Sequence, residues 1–188
     1  MENDLYTILQ ENPIIAGIKN DEDLSMVLDS ECKIVFILYG DLLNIDSIVQ
    51  KIKERGKMAF INVDLLEGFS NKEVVVKYLR LHTKADGILS SKASMVKAAK
   101  SYGFFTVHRF FLIDSFSFHN LDKQIEISQP DSIEIMPGCM PKVISWVLKK
   151  IDIPVIAGGL VCEKDDVIAA LKAGAIAISS TNTEVWSM

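Results

Sequence analysis

The sequence predicts an α/β protein, a small (β/α)8 TIM-type barrel with a truncated last helix, and three observations carry that reading. Short apolar runs alternate with amphipathic stretches from end to end of the chain. Strands separated by helices imply right-handed crossovers and a parallel sheet. Eight such units can be counted, the number that closes a barrel. The 188 residues fall short of the ~250 typical of such barrels, so the loops must be minimal. Only TNTEVWSM follows the last strand, which leaves a stunted eighth helix. An open, doubly wound sheet is the competing arrangement.

In order, the strand candidates are IIAGI (14–18), KIVFIL (33–38), KMAFINV (57–63), DGIL (86–89), FFTVHRF (104–110), SIEIM (132–136), PVIAG (154–158) and AIAIS (175–179). Between them lie helical patterns. Over residues 71–82, Val75, Tyr78, Leu79 and His82 recur at i, i+3, i+4 and i+7, one face of a helix. Ser70 and Glu73 read as its capping box, and Thr181 and Glu184 as that of the short terminal helix. No linker, low-complexity tract or break in composition divides residues 1–188, so a single barrel domain is expected.

Composition narrows the class. With 49 % hydrophobic residues and a mean hydropathy of +0.24, there is material for one large core. No run approaches the ~20 apolar residues of a membrane span, and the acidic start MENDLYTILQENP lacks the order of a signal peptide, so a cytoplasmic location is expected. Cys32, Cys139 and Cys162 are scattered and suggest neither a disulfide framework nor a zinc site. The net charge of −5 argues against indiscriminate binding of polyanions. Two stretches are nevertheless locally basic: Lys51, Lys53, Arg55 and Lys57, then Lys72, Lys77, Arg80 and Lys84. Each is either a solvated helix face or a contact surface.

In a barrel, function gathers at the C-terminal ends of the strands, and the face towards the helices must be apolar. Alternation then assigns directions. Ile133 and Ile135 face the helices and Glu134 the interior; Ala59, Ile61 and Val63 take the helix side, leaving Asn62 and Asp64 inward. Arg109 on the interior would stand beside Glu134. Asp64, Arg109 and Glu134 therefore line a polar pocket or form a structural ion pair at the mouth. Glu67, Ser90, Lys92 and Asp114 follow strands three, four and five, where a Lys could bind an anion, act as a base or simply be solvated. His108 should face the helix layer, and the three histidines have no metal-ligand spacing; neither a metal nor a cofactor is expected.

The strongest local signal lies at the end of the chain. Gly158, Gly159 and Leu160 follow strand seven, and Ser179, Ser180 and Thr181 follow strand eight. Paired glycines let backbone N–H groups approach a ligand, and hydroxyls with a helix start complete an anion cradle. Phosphate sites recur at these two loops in this fold.

The runs FFLIDSFSFHN, QPDSIEIMPGCMPKVI and IPVIAGGLVCEKDDVIAALKAGAIAISSTNTEVW, with INVDLLEGFS and ADGILSSKASMVKAAKSYG before them, together resemble the glycerol-uptake operon antiterminator regulatory family. The likeness covers roughly residues 60–187 closely. It implies a barrel that senses glycerol-3-phosphate and, when liganded, acts on leader mRNA so that transcription reads through a terminator. By that resemblance the polar strand-end positions are Asp64, Glu67, Ser90, Lys92, Arg109, Asp114, Glu134, Gly158, Gly159, Ser179 and Ser180. The alternative is a small barrel enzyme, of isomerase, aldolase or lyase type, acting on a phosphorylated metabolite, with Asp64, Lys92 and Glu134 as acid–base groups. The sequence leaves the RNA surface and the oligomeric state, including a homo-oligomer, undetermined.

Overall fold

The computed structural model describes residues 2–188, with side chains from Leu5 onward. Eight parallel strands close into a barrel in sequence order. They are β1 (Ile14–Ile18), β2 (Ile34–Ile37), β3 (Met58–Asn62), β4 (Gly87–Ser90), β5 (Phe105–Phe111), β6 (Ser132–Met136), β7 (Val155–Gly158) and β8 (Ala177–Ser180). β8 returns to β1 with Ile15 opposite Ser179, which excludes the open sheet. The helices after β1–β7 are α2 (Asp21–Leu28), α3 (Ile45–Glu54), α4 (Glu73–His82), α5 (Ala93–Ser101), α6 (Ser115–Ser128), α7 (Pro141–Leu148) and α8 (Lys164–Lys172). A 3-10 turn, Val185–Ser187, stands where the eighth helix would be.

The remaining helix, α1 (Glu2–Glu11), precedes the first strand and was not legible as periodicity. Its Leu5 and Leu9 are buried with Ile15, Ile34, Phe36, Phe60, Leu89, Val107, Ile156 and Ala177. Those strand residues are the inward parity of the barrel, so α1 closes its N-terminal end. The outward parity, among it Ile14, Val35, Ala59, Ile88, Ile133, Val155 and Ile178, packs with α2–α8 in a second core. The two cores are the physical reason for the alternation along each strand. Gly87 is required by the inner one: a Cβ there would strike the Phe60 ring and sit 2.8 Å from the Phe105 carbonyl.

Asp86 and Asp131 brace the N-terminal end in the same way. Each accepts the backbone N–H of the preceding strand, Ala59 and Thr106, at 2.8 Å. Each is paired with a lysine, Lys53 at 2.7 Å and Lys100 at 3.0 Å. Three of the four cations of the first basic stretch are engaged in this way or similarly. Lys53 is committed to Asp86, and Arg55 to Asp29 at 3.0 Å. Lys57 is buried, donating to the Ser30 and Cys32 carbonyls at 2.6 and 2.8 Å, and burial pulls its amine below the ordinary value. Neither predicted capping box forms. α4 begins at Glu73 with Lys72 at the N-cap and no side-chain cap. At the terminal turn the Glu184 N–H donates to Asn182 Oδ1 at 3.0 Å, so the Asx turn of Asn182 replaces Thr181.

Candidate functional site

The inward residues of β5–β8 meet at the C-terminal mouth. β5 and β6 run with Arg109 opposite Glu134, and β7 and β8 with Gly158 opposite Ser179. Arg109 Nε donates to Glu134 Oε2 at 2.5 Å, and Ser179 Oγ donates to Glu134 Oε1. Glu134 is 0 % exposed and Arg109 only 9 %. Gly158 is what lets them meet, since a Cβ there would stand 2.5 Å from both Glu134 Oε1 and Ser179 Oγ.

The β6–α7 loop is locked against the β7–α8 loop. Gly138 N–H donates to the Gly158 and Gly159 carbonyls at 2.6 and 2.9 Å, and a Cβ on Gly138 would lie 2.6 Å from Gly158 N. Gly159 and Leu160 follow with φ of +71° and +56°. A left-handed Leu costs about 1–2 kcal/mol, and strain of that kind collects at ligand clamps. Ser180 Oγ donates to the Val161 carbonyl at 3.0 Å and accepts the Asn182 N–H at 3.1 Å. The Trp186 indole donates to the Ser180 carbonyl at 2.8 Å, so the terminal turn holds the end of β8.

These loops enclose a cavity of about 140 Å³. Arg109, Glu134, Gly159, Leu160, Ser179, Ser180 and Thr181 line it, and Gly158 supports it from behind. Gly17, Phe36, Leu38, Met136, Val161, Cys162 and Asn182 also line it and were not singled out in the sequence. Gly17 carried a legible signal, a glycine inside a strand, which marks close approach; a Cβ there would be 3.0 Å from Thr181 Cγ2. Cys162 and Asn182 become neighbours only through the fold, with Asn182 Nδ2 donating to the Cys162 carbonyl at 3.2 Å.

Other predicted site residues lie elsewhere. β3 ends at Asn62, and Asp64, expected inward, lies two residues beyond it and outside the lining of this cavity. Its carboxylate instead accepts from Ser90 Oγ at 2.7 Å, Ser91 N at 2.6 Å and Ser91 Oγ at 2.7 Å, with Lys92 Nζ 3.8 Å away. Ser90 shares the parity of Ile88, which faces the helices. Asp64, Ser90 and Lys92 therefore form a second cluster across the barrel from β7 and β8. Burial raises the Asp64 pKa, but the hydrogen bonds from Ser90 and Ser91 and the charge of Lys92 outweigh it and hold the group below its ordinary value. Glu67 is exposed and works through its backbone, exchanging hydrogen bonds with Gly40 and Leu42 at 3.0 and 3.2 Å. Asp114 caps α6, accepting Ser117 N–H at 2.7 Å, on the outer surface.

His108 faces the helix layer, its Nδ1 2.8 Å from Ser128 Oγ on α6 and its Nε2 3.4 Å from the Ser91 carbonyl. Burial lowers its pKa to about 4. The unfolded chain, with an ordinary value of 6.5, therefore takes up this proton first as pH falls. Stability should be unaffected by His108 above pH 6.5, decline between 6.5 and 4, and level off below, a loss of about 3 kcal/mol in all. Urea midpoints measured from pH 7.5 to 4 check this, and His108→Gln should flatten that part of the profile. An equally steep profile in the variant would place the titration elsewhere. Among the described residues no cluster of His, Cys, Asp or Glu could hold a metal ion, and no helix is long and apolar enough to cross a membrane.

The family model described as glycerol-3-phosphate responsive antiterminator matches residues 14–186. The chain is 56 % identical over 184 residues to the uncharacterized protein YgcP of Escherichia coli strain K12, covering 98 % of this chain and 96 % of that one. It superposes with a TM-score of 0.90 and 28 % identity on the glycerol uptake operon antiterminator regulatory protein of Listeria monocytogenes str. 4b F2365, covering 93 % and 95 % of the two chains. A glycerol uptake operon antiterminator-related protein from Thermotoga maritima MSB8 gives 0.82 and 31 %, covering 93 % and 98 %.

Proposed function

This chain belongs to the glycerol-3-phosphate responsive antiterminator family, and from that premise we propose that it is a glycerol-3-phosphate sensor without catalytic activity. It holds the ligand in the cavity at the barrel mouth and, when liganded, acts on the leader mRNA of glycerol-metabolism genes so that transcription passes a terminator.

The cavity is the observation that carries this reading. Its volume of about 140 Å³ is below the roughly 300–1,000 Å³ of sites for drug-sized ligands. That suits a three-carbon phosphate ester and not a nucleotide. Arg109 is the single cationic side chain among its lining residues. Of the five donors of a guanidinium, Nε is committed to Glu134, and the others are available to an anion. The hydroxyls of Ser179 and Ser180 already donate to Glu134 and Val161. The phosphate is therefore held by Arg109, the Thr181 hydroxyl and backbone N–H groups of the two loops. Glu134 takes a glycerol hydroxyl on the lone pairs its partners leave. Both its oxygens are engaged, so it orients ligand rather than acting as a free base. Asp64, Ser90 and Lys92 stand apart from this ligand.

Calorimetry with glycerol-3-phosphate, inorganic phosphate and glycerol in parallel tests the assignment. Glycerol-3-phosphate should bind most tightly, glycerol most weakly, and the ester should be recovered unchanged. A bound ligand should also change affinity for the leader transcript by roughly 5–150-fold, the usual range of allosteric coupling. Steady consumption of the ester would mean that the barrel is an enzyme.

A further inference from the structure

Outside the barrel, α6 and α7 leave between them a groove of about 660 Å³ that the ligand site does not use. Its floor is apolar, with Leu112, Val143 and Phe118, and its wall is Trp146. Trp146 is 46 % exposed and Ile113, also in the lining, 81 %; Phe116, in the first turn of α6 beside the lining residue Ser115, is 74 % exposed. Lysines stand over these rings. Lys142 Nζ lies 5.1 Å from the Trp146 ring centre and Lys150 Nζ 5.3 Å from that of Phe118. Phe118 and Trp146 meet edge to face at 6.2 Å.

From this arrangement we propose that the α6–α7 groove is the RNA-docking surface, taking a single-stranded segment whose bases stack on Trp146 and Phe116 while Lys142 and Lys149 face its phosphates. This rests on the antiterminator reading above. Surfaces that hold single strands combine cations along a groove with rings on which bases stack. A chain of net charge −5 can meet a polyanion only where cations are uncommitted. Lys142 and Lys149 form no ion pair among the described residues, whereas Lys150 is tied to Asp122 at 2.5 Å. The one carboxylate among the groove's lining residues, Asp114, is turned into the α6 cap. The position of the groove also suits a ligand-responsive surface. Arg109 and Glu134 sit on β5 and β6, whose next helices are α6 and α7.

Trp146 and Trp186 are the two tryptophans of the chain, and only Trp146 is exposed, which supplies a direct readout. The experiment titrates the full chain, saturated with glycerol-3-phosphate, with its own leader transcript and with a random single-stranded RNA of about 16 nucleotides, within the usual site sizes. Stacking should quench the Trp146 emission. Trp146→Ala should weaken binding roughly 10- to 100-fold. Lys142→Glu with Lys149→Glu should do likewise, and should make the logarithmic salt dependence shallower by about 0.7 for each phosphate no longer neutralised. All three substitutions are at exposed positions, and unchanged calorimetry with glycerol-3-phosphate will certify the fold. Wild-type RNA affinity retained in these variants overturns the surface and leaves antitermination standing. If neither RNA binds the wild type, the antiterminator reading falls and the groove assignment with it. A groove variant that changes the sedimenting mass would instead make it a contact between copies of the chain.

Discussion

Gly159→Asp should abolish glycerol-3-phosphate binding while leaving the barrel folded. Gly159 lines the cavity at φ +71°, where the backbone approaches the proposed phosphate. Asp is among the residues that tolerate a left-handed conformation best. Its Cβ would meet the Met136 Cε at 2.9 Å, the far end of a flexible side chain that can move. The stability loss should therefore stay near 1 kcal/mol. A carboxylate beside the phosphate is a different matter, because juxtaposed like charges cost several kcal/mol, on the order of a thousandfold in affinity. Gly159→Ala separates the two effects, since it keeps the steric change without the charge. Calorimetry on both variants decides: if Asp and Ala weaken the ligand equally, charge is not the cause and the phosphate lies elsewhere.

Arg109→Met should be the most destabilising change at the mouth. Glu134 is fully buried, and Arg109 is its one counter-charge among the described residues. Removing one partner of a buried pair costs about 3–5 kcal/mol, because the other is left uncompensated. At about 2–4 °C per kcal/mol for a chain of this size, the melting temperature should fall by roughly 6–20 °C. Adding Glu134→Gln should recover part of the loss, as a double-mutant cycle of directly interacting residues requires, but should not restore ligand binding. Thermal denaturation measures the first and calorimetry the second. A loss below about 1 kcal/mol, typical of exposed pairs, would mean that Arg109 does not balance Glu134.

The barrel itself was readable from residue order because each strand obeys two constraints at once. Its outward parity must be apolar to meet helices, and its inward parity fills the interior, so Glu134 and Arg109 in their runs could be pointed inward without coordinates. The Gly158–Leu160 and Ser179–Thr181 loops were legible for a related reason: glycine pairs and hydroxyls at strand ends break the apolar rule. Chain order could not show which groups these polar residues spend on each other. Ser179 and Ser180 look like anion donors until their hydroxyls are seen donating to Glu134 and Val161. Asp64 looks like a free ligand group until its carboxylate is seen accepting from Ser90 and Ser91. Lys53, Arg55 and Lys57 read as part of a solvated face or a contact surface, and chain order does not show that Asp86, Asp29 and two carbonyls engage them. Parity is a property of one strand and survives in the sequence, whereas a hydrogen bond has two ends, and the second is supplied by residues distant in the chain that only the closed barrel brings within reach.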